Sequence, residues 1–184
     1  MKRSLPAAIT LAALMLGGAI AYADNPMVGG AAMYPNKTIV ENAMNSKDHT
    51  TLVAAVKAAG LVETLQGAGP FTVFAPTNEA FAKLPPGTVE MLVKPENKDK
   101  LTKILTCHVV GAKAFSKDVM KMVDDDGGMH TIPTLGGCNL VASYKDGMIM
   151  LKDENGTVAT VTIADVEQSN GVIHVIDAVL LPKM

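Results

Sequence analysis

The chain changes character near Met129, and this change limits the folds that are open to it. Beyond that point, short runs of β-forming residues follow one another closely, at about 129–133, 138–144, 148–152, 157–163 and 172–181. Asp146-Gly147 and Asn155-Gly156 fall between these runs, and such pairs are typical of tight hairpin turns. The second half of the chain is therefore predicted to form a β-meander.

The first half of the chain shows helical spacing instead. Thr38 and Glu41 form a capping box ahead of a helix predicted over 39–44. A further helix is indicated by apolar residues at helical spacing, which are Leu52, Val53, Val56 and Ala59. Gly60 follows, where a left-handed residue commonly ends a helix. Helices followed by strands, with no internal repeat, predict one α+β domain over 37–184.

Residues 71–81 combine a strand, a stop and a helix start in eleven consecutive positions. The β-forming run from Phe71 to Ala75 ends at Pro76. Thr77 can then cap a helix, because its hydroxyl can accept a hydrogen bond from a free backbone N–H in the first turn. Glu79 lies in that first turn, where a negative charge is favourable against the helix dipole.

The N-terminal 23 residues have the organisation of a secretory signal peptide. A basic start at Lys2 and Arg3 precedes an apolar run over 5–20 and the small-x-small site Ala21-Tyr22-Ala23. The run is short for a membrane-spanning helix, which needs roughly 20 apolar residues. The alternative is a retained membrane anchor, against which the cleavage site argues.

Cleavage before Asp24 would deliver a secreted or periplasmic protein. No second apolar run follows, so we predict no stable membrane insertion of the cleaved chain. Residues 24–36 are rich in Gly, Ala, Pro and Asn and are predicted to form a flexible N-terminal arm. The net charge of −2 gives no reason to expect a nucleic-acid partner.

Cys107 and Cys138 are the two cysteines of the chain. An exported chain meets an oxidising compartment, where a cysteine pair can form and keep a disulfide. Such a bridge would close a loop of about 30 residues and add roughly 3–4 kcal/mol to the free energy of unfolding. The alternative is two separate buried thiols, and the sequence alone leaves both possibilities open.

Residues 71–81 and 170–182 resemble the two signature boxes of the fasciclin domain, in the usual order and at about the usual separation. The second box has the Asn170-Gly171 turn, an apolar strand with an embedded His174, and a terminal Leu-Pro. The resemblance covers most of the chain. It implies a small β-sandwich or wedge with several short helices packed on one side.

The same resemblance implies adhesion or partner binding without catalysis. A third family landmark matches at His108, although Cys107 replaces the usual Tyr. In animal members an Asp-Ile pair is linked to integrin recognition, and Asp165-Val166 aligns with it. We therefore predict an exported module that recognises a protein or polysaccharide at a cell surface, as in host contact or symbiosis, through Asp165, Val166 and Asn170.

The box residues themselves are predicted to be structural, and these are Thr77, Asn78, His108, Gly171, His174 and Asp177. A histidine inside an apolar run is more often buried, neutral and hydrogen-bonded than a ligand. His174 and Asp177 lie three residues apart on a strand, which places them on opposite faces and makes them a poor acid–base pair.

The alternative function is periplasmic copper binding. It would use a methionine and histidine cluster made of Met120, Met122, Met129 and His130, to which Met148 and Met150 add two thioethers. Thioether sulfur suits copper(I). The competing interpretation is that methionine fills gaps in a core that has no Trp.

Other sites are disfavoured by the sequence. Asp124-Asp125-Asp126 and the run from Asp153 to Gly156 lack the alternating spacing and terminal Glu of a calcium loop, and they are predicted to be solvated turns. The Gly-x-Ser-x-Gly, His-Glu-x-x-His and phosphate-loop motifs are absent from the sequence. We therefore predict no enzyme activity, no catalytic residue and no cofactor.

Overall fold

A computed structural model describes residues 25–183. The predicted signal peptide over 1–23 and its cleavage site lie outside the described residues. Within them, none of the helices has both the length and the apolar character needed to cross a bilayer.

Within the described residues, the helices and strands alternate in the first half and strands dominate the second. The helices are α1 (Ile39–Ala43), α2 (Thr50–Ala59), α3 (Val62–Gln66), α4 (Asn78–Ala82), α5 (Thr88–Leu92), α6 (Lys98–Thr106) and α7 (Ser116–Asp125). The strands are β1 (Met27–Val28), β2 (Ala31–Ala32), β3 (Phe71–Pro76), β4 (Val109–Val110), β5 (His130–Pro133), β6 (Asn139–Lys145), β7 (Met148–Lys152), β8 (Val158–Gln168) and β9 (Gly171–Ile176). Two short 3-10 helices cover Lys47–His49 and Pro95–Asn97.

Seven strands form one sheet in the order β4-β3-β9-β8-β7-β6-β5. Strands β5 to β8 pair with their sequence neighbours in antiparallel fashion, as the hairpin signals predict. At the β6–β7 turn, Asp146 and Gly147 have φ values of 52° and 79°, which tight hairpin turns require. Strand β3 runs parallel to β9, so the two signature boxes lie side by side. The predicted α+β class is confirmed.

The predicted helix caps and the predicted helix end are found at the residues that the sequence indicates. Thr38 caps α1, and Glu41 reaches back to the Thr38 N–H at 2.7 Å. Gly60 ends α2 with a φ of 72°. Thr77 caps α4 by accepting a hydrogen bond from the Ala80 N–H at 3.2 Å.

Two apolar cores lie on opposite faces of β3 and β9. The first joins these strands to the N-terminal helices and contains, among others, Leu52, Val56, Val73, Ile104, Val166 and Val175. The second fills the inside of the wedge and contains, among others, Phe74, Val119, Val123, Leu140, Leu151 and Ile176. Helix α7 closes this inner core. Helix α7 was not predicted, because it starts at Phe115 without a polar N-cap side chain, although four of its ten residues are apolar.

The prediction of a flexible arm over 24–36 is wrong for the part that the structure describes. Strands β1 and β2 form a hairpin around Gly29-Gly30, and Val28 and Met33 are buried in the first core. Gly29 also accepts a hydrogen bond from the Lys47 N–H at 3.2 Å. Two Gly residues between short apolar pairs are a hairpin signal, which the overall composition of the segment concealed.

A disulfide joins Cys107 and Cys138, whose Cα atoms lie 5.4 Å apart, so of the two possibilities that the sequence leaves open the structure shows the bridge. It lies where the two outer strands of the sheet come together. Close by, the Leu135 N–H donates to the Val109 carbonyl at 2.8 Å. The bridge and this hydrogen bond close one end of the wedge.

Candidate partner-binding site

Asp165 lies at an irregular point in β8. The pairing of β8 with β9 shifts register between Ile163 and Val166, which is the mark of a β-bulge. Asp165 has a φ of 59°, a left-handed conformation that Asp tolerates better than most residues. The bulge turns its carboxylate toward the start of α7.

The Asp165 carboxylate is held by Ser116, the first residue of α7. The Ser116 N–H donates to Asp165 Oδ1 at 2.6 Å, and the Ser116 hydroxyl donates to Oδ2. A carboxylate at a helix N-terminus accepts from free N–H groups and is favourable against the helix dipole. Within α7 itself, Asp118 accepts from the Phe115 N–H at 2.9 Å, and Asp165 supplies from β8 the acceptor for the Ser116 N–H, which the apolar Phe115 side chain cannot provide.

His174 extends this network from β9. The Asp165 N–H donates to His174 Nδ1 at 3.2 Å, and His174 Nε2 donates to the Ala114 carbonyl at 2.9 Å. The imidazole also stacks on Phe74, with ring centroids 5.7 Å apart. Burial lowers the pKa of His174, so the ring is neutral at physiological pH. It links the bulge to the segment that precedes α7.

Two further contacts fasten the segment before α7 to the sheet. Thr72 Oγ1 donates to the Ala112 carbonyl at 2.6 Å and accepts from the Ala114 N–H at 2.9 Å. Lys113 Nζ lies 2.6 Å from Glu167 Oε1, in an ion pair at the surface. The position of α7 is thus fixed by side chains from β3, β8 and β9.

The structure does not expose two of the three predicted partner-binding residues. Val166 is 0% exposed and Asn170 is 6% exposed, so the prediction that they face a partner is wrong. Val166 points into the first core. The Asn170 amide accepts from the Ile39 N–H at 3.0 Å and donates to the Leu65 and Gly67 carbonyls at 2.8 Å each. Its polar atoms are already satisfied within the domain.

A groove opens beside Asp165. Strands β7 and β8 pair only from Met150–Thr160 to Lys152–Val158, and they diverge on the Met148 side of this ladder. The resulting groove has a volume of about 210 Å³. Its lining includes Ser116, Met120, Met148, Val161, Thr162 and Ala164. The groove could not be predicted from the sequence, because nothing in the pattern of either strand shows where their pairing stops.

His108 is a buried connector between α6 and the C-terminal segment. Its Nδ1 donates to the Ile104 carbonyl at 2.8 Å, and its Nε2 accepts from the Leu180 N–H at 2.9 Å. This pattern requires the neutral ring. Burial lowers the pKa of His108 from 6.5 to about 4, because the charged form would lose its hydration.

We expect acid to destabilise the domain through His108. Its pKa rises from about 4 in the folded protein to 6.5 on unfolding, so between these values the unfolded chain binds the extra proton. The free energy of unfolding should therefore fall as the pH drops from 6.5 towards 4, by up to about 1.4 kcal/mol per pH unit from this group. Burial also lowers the pKa of His49 and His174, which act in the same direction.

Urea denaturation at a series of pH values would measure this slope. His108→Gln keeps an amide that can hydrogen-bond but does not titrate, and its slope should be shallower than that of the wild type between pH 6.5 and 4. Equal slopes in the two proteins would contradict the assignment to His108.

The remaining box residues tie neighbouring elements together. Asn78 Oδ1 accepts from the Thr51 N–H at 3.0 Å, and its Nδ2 donates to the Lys47 carbonyl at 2.8 Å. Asp177 follows β9, where its Oδ1 accepts from the Thr160 N–H at 2.7 Å and its Oδ2 lies 3.6 Å from Lys83 Nζ. These contacts join α4 to α2 and the end of β9 to β8.

A serine and histidine pair lies behind the N-terminal hairpin. Ser46 Oγ is 2.8 Å from His49 Nδ1, and His49 Nε2 has no hydrogen-bond partner among residues 25–183. Both side chains are buried, and the hairpin residues Val28 and Met33 line the same small cavity. A substrate has no access to this hydroxyl in the folded domain.

The structure gives no support to the copper alternative. Met120 and Met122 pack against the inner core, whereas Met129 is exposed to solvent. His130 Nδ1 is engaged by Asp126 at 2.7 Å. Among residues 25–183, no group of three or more His, Cys, Asp or Glu side chains is placed to hold a metal ion.

The two acidic runs also have internal partners. Asp124 accepts from the Tyr144 hydroxyl at 2.6 Å, and the next two carboxylates pair with Lys121 and His130. Asp153 is buried rather than solvated, and its Oδ1 accepts from the Thr157 N–H at 2.8 Å. The prediction of solvated turns is therefore wrong for Asp153, and also for Asp124 and Asp125, which lie in the last turn of α7.

Comparisons with known proteins agree with this fold. The Fasciclin domain family model matches residues 47–182. Protein sll1483 of Synechocystis is 52% identical over 158 residues, which cover 86% of this chain and 81% of that protein. The cell surface glycolipoprotein MPB83 of Mycobacterium bovis is 31% identical over 166 residues, covering 90% of this chain and 64% of that protein.

A solved structure has the same fold. It is a FAS1 domain pair from the insect cell adhesion molecule fasciclin I, with a TM-score of 0.72 and 22% sequence identity. The match covers 80% of this chain and 51% of the insect chain. The predicted wedge of strands with short helices is thereby confirmed.

Proposed function

Because the chain belongs to the fasciclin domain family, we propose that it is an exported, non-catalytic adhesion module that binds a protein partner in the groove beside Asp165. The descriptions of two similar proteins support this function. The insect protein is a cell adhesion molecule, and the mycobacterial protein is a cell surface glycolipoprotein. The observation that carries the proposal is the groove between α7 and the diverging strands β7 and β8.

The chemistry of the groove favours a protein partner over a polysaccharide. Met120, Met148 and Val161 give it an apolar wall, and Ser116 and Thr162 add hydroxyl groups. Flexible methionines adapt to the side chain that they receive, and an apolar anchor in a pocket is a common source of binding energy. The lining contains no aromatic ring on which a sugar could stack.

Asp165 acts in this proposal as a positioning residue. Its two hydrogen bonds to Ser116 fix the start of α7 against β8, and these elements form two walls of the groove. Asp165→Ala would remove both bonds and let α7 move. A loss of binding in that variant would therefore not distinguish a contact from a supporting role.

A matched pair of methionine variants gives a sharper test. Met148 is 54% exposed in the groove, and Met91 is 52% exposed on α5, outside it. Met148→Lys should weaken partner binding by at least about tenfold, because an interface position that loses 1.4 kcal/mol or more changes affinity by that factor. Met91→Lys should leave the affinity unchanged.

The binding assay would use the chain from Asp24 onward against immobilised matrix proteins, polysaccharides and whole cells. Binding should be saturable and should survive a chelator. Equal effects of the two methionine variants would rule out the groove. Binding to polysaccharide alone would rule out the protein partner, and no binding to any target would overturn the adhesion function.

A further inference from the structure

The chain contains two Asn-Gly pairs, at Asn155-Gly156 and Asn170-Gly171. In such a pair the backbone nitrogen of Gly can attack the side-chain amide of Asn with little steric hindrance, because Gly has no side chain and a wide range of backbone conformations. We propose that Asn155 is a site of spontaneous deamidation, that Asn170 is protected by the fold, and that conversion of Asn155 releases the C-terminal segment 181–183.

The turn before β8 holds this C-terminal segment with three consecutive side chains. Asp153 Oδ2 accepts from the Leu181 N–H at 2.8 Å. Asn155 Nδ2 donates to the Leu181 carbonyl at 2.9 Å and to the Pro182 carbonyl at 3.2 Å. Glu154 Oε2 accepts from the Lys183 N–H at 3.0 Å. The Asn155 amide is the donor among the three.

Reaction at Asn155 needs only a local opening of its turn, in which the hydrogen bond from the Gly156 N–H to the Asp153 carbonyl, at 3.1 Å, breaks. The Asn155 side chain is exposed, and Gly156 has a φ of 89° with no atom within 4 Å of the place where a Cβ would stand. The Gly156 nitrogen would attack Asn155 Cγ, the Cγ–Nδ2 bond would break, and the nitrogen would leave as ammonia. Water would then open the succinimide ring to aspartate or isoaspartate, so that one water is consumed for each ammonia released.

The product cannot keep the contact that Asn155 makes. An amide with two N–H donors becomes a carboxylate that only accepts hydrogen bonds. This carboxylate would face the Leu181 and Pro182 carbonyl oxygens, beside the negative charges of Asp153 and Glu154. The loss of the Asn155 N–H donor and the repulsion between like charges both weaken the attachment of residues 181–183 to this turn.

Asn170 provides an internal comparison within the same protein. Its amide is buried and makes three hydrogen bonds, to Ile39, Leu65 and Gly67. Gly171 lies against the Phe71 backbone. The rearrangement that brings the Gly nitrogen to the Asn Cγ therefore requires opening of the core strand, which only the global unfolding of the domain provides.

The first test follows both sites in the folded full-length chain at mildly alkaline pH, by mass spectrometry of the two peptides. Asn155 should deamidate at least about tenfold faster than Asn170, because a local opening of the turn is far more frequent than global unfolding. In denaturant the two rates should converge. A folded-state rate at Asn155 that is no greater than the rate at Asn170 would overturn the proposal.

The second test asks whether conversion releases the segment. Asn155→Asp introduces one of the two reaction products directly. Asn139→Asp adds the same charge on β6, at a residue whose backbone N–H donates to Glu154 Oε1 at 3.1 Å. Hydrogen exchange of the Leu181 and Lys183 amides should be at least about tenfold faster in Asn155→Asp and unchanged in Asn139→Asp. Unchanged exchange in both variants would overturn the release of the segment.

Discussion

Gly171→Val is expected to lower the free energy of unfolding by at least about 3 kcal/mol, because the added side chain has nowhere to go. A Cβ at this position would lie 2.1 Å from the Phe71 carbonyl oxygen and 3.0 Å from the Phe71 nitrogen. Both are backbone atoms of β3, the parallel neighbour of β9. These atoms cannot move away without breaking the hydrogen bonds between β3 and β9, which join the two signature boxes. Equilibrium denaturation in urea would measure the decrease in the free energy of unfolding.

Gly111→Val is the matched control. A Cβ at Gly111 would meet only Leu135 Cδ2, at 3.1 Å, and that side chain is exposed and can turn away. This substitution should cost less than about 1 kcal/mol, as most surface substitutions do. Equal losses in the two variants would show that the approach of β3 and β9 does not depend on a Gly at position 171.

The parts of the fold that the sequence predicts are those whose cause is local. The capping box of Thr38 and Glu41, the strand stop at Pro76 and the turn at Asp146-Gly147 each depend on residues within a few positions of one another. Backbone conformation and capping act at that range, and they do not need the tertiary structure. The α+β class follows from the same local signals.

Asn170 shows why the contact surface could not be found in this way. An amide before a Gly is typical of an exposed turn, yet its partners Ile39 and Leu65 lie 131 and 105 residues away in the chain. No pattern near Asn170 records those partners. Burial of a polar side chain depends on whether the fold supplies hydrogen bonds to it, and this is a property of the assembled structure.

The run of β-forming residues over about 157–163 predicts a strand that ends near residue 163. The strand in fact continues to Gln168 through two register shifts, which turn Asp165 towards α7 and bury Val166. A bulge reverses which residues face the core beyond it. The bulge explains how Asp165 can cap α7 from another strand, which no pattern near Ser116 indicates.

Replacing both Cys107 and Cys138 with Ala should lower the free energy of unfolding by about 3–4 kcal/mol. The bridge joins residues 31 positions apart in the chain, and the loop between them contains α7 and β5. In the chain-entropy model, the loss of the bridge lets the unfolded ensemble gain the freedom that loop closure removes. Urea denaturation of the wild type and the double variant, each with and without reductant, would measure the effect.

The reductant separates the bridge from the packing of the two buried side chains. Reduced wild type keeps both sulfur atoms, so its loss of stability reports the bridge alone, and the further difference to the double variant reports the cavities. The double variant should not respond to reductant. Since the bridge closes the wedge where Leu135 meets Val109, reduction should loosen this end first, and faster hydrogen exchange of the Leu135 amide would show it. Reduced wild type as stable as the oxidised protein would contradict the stabilising role of the bridge.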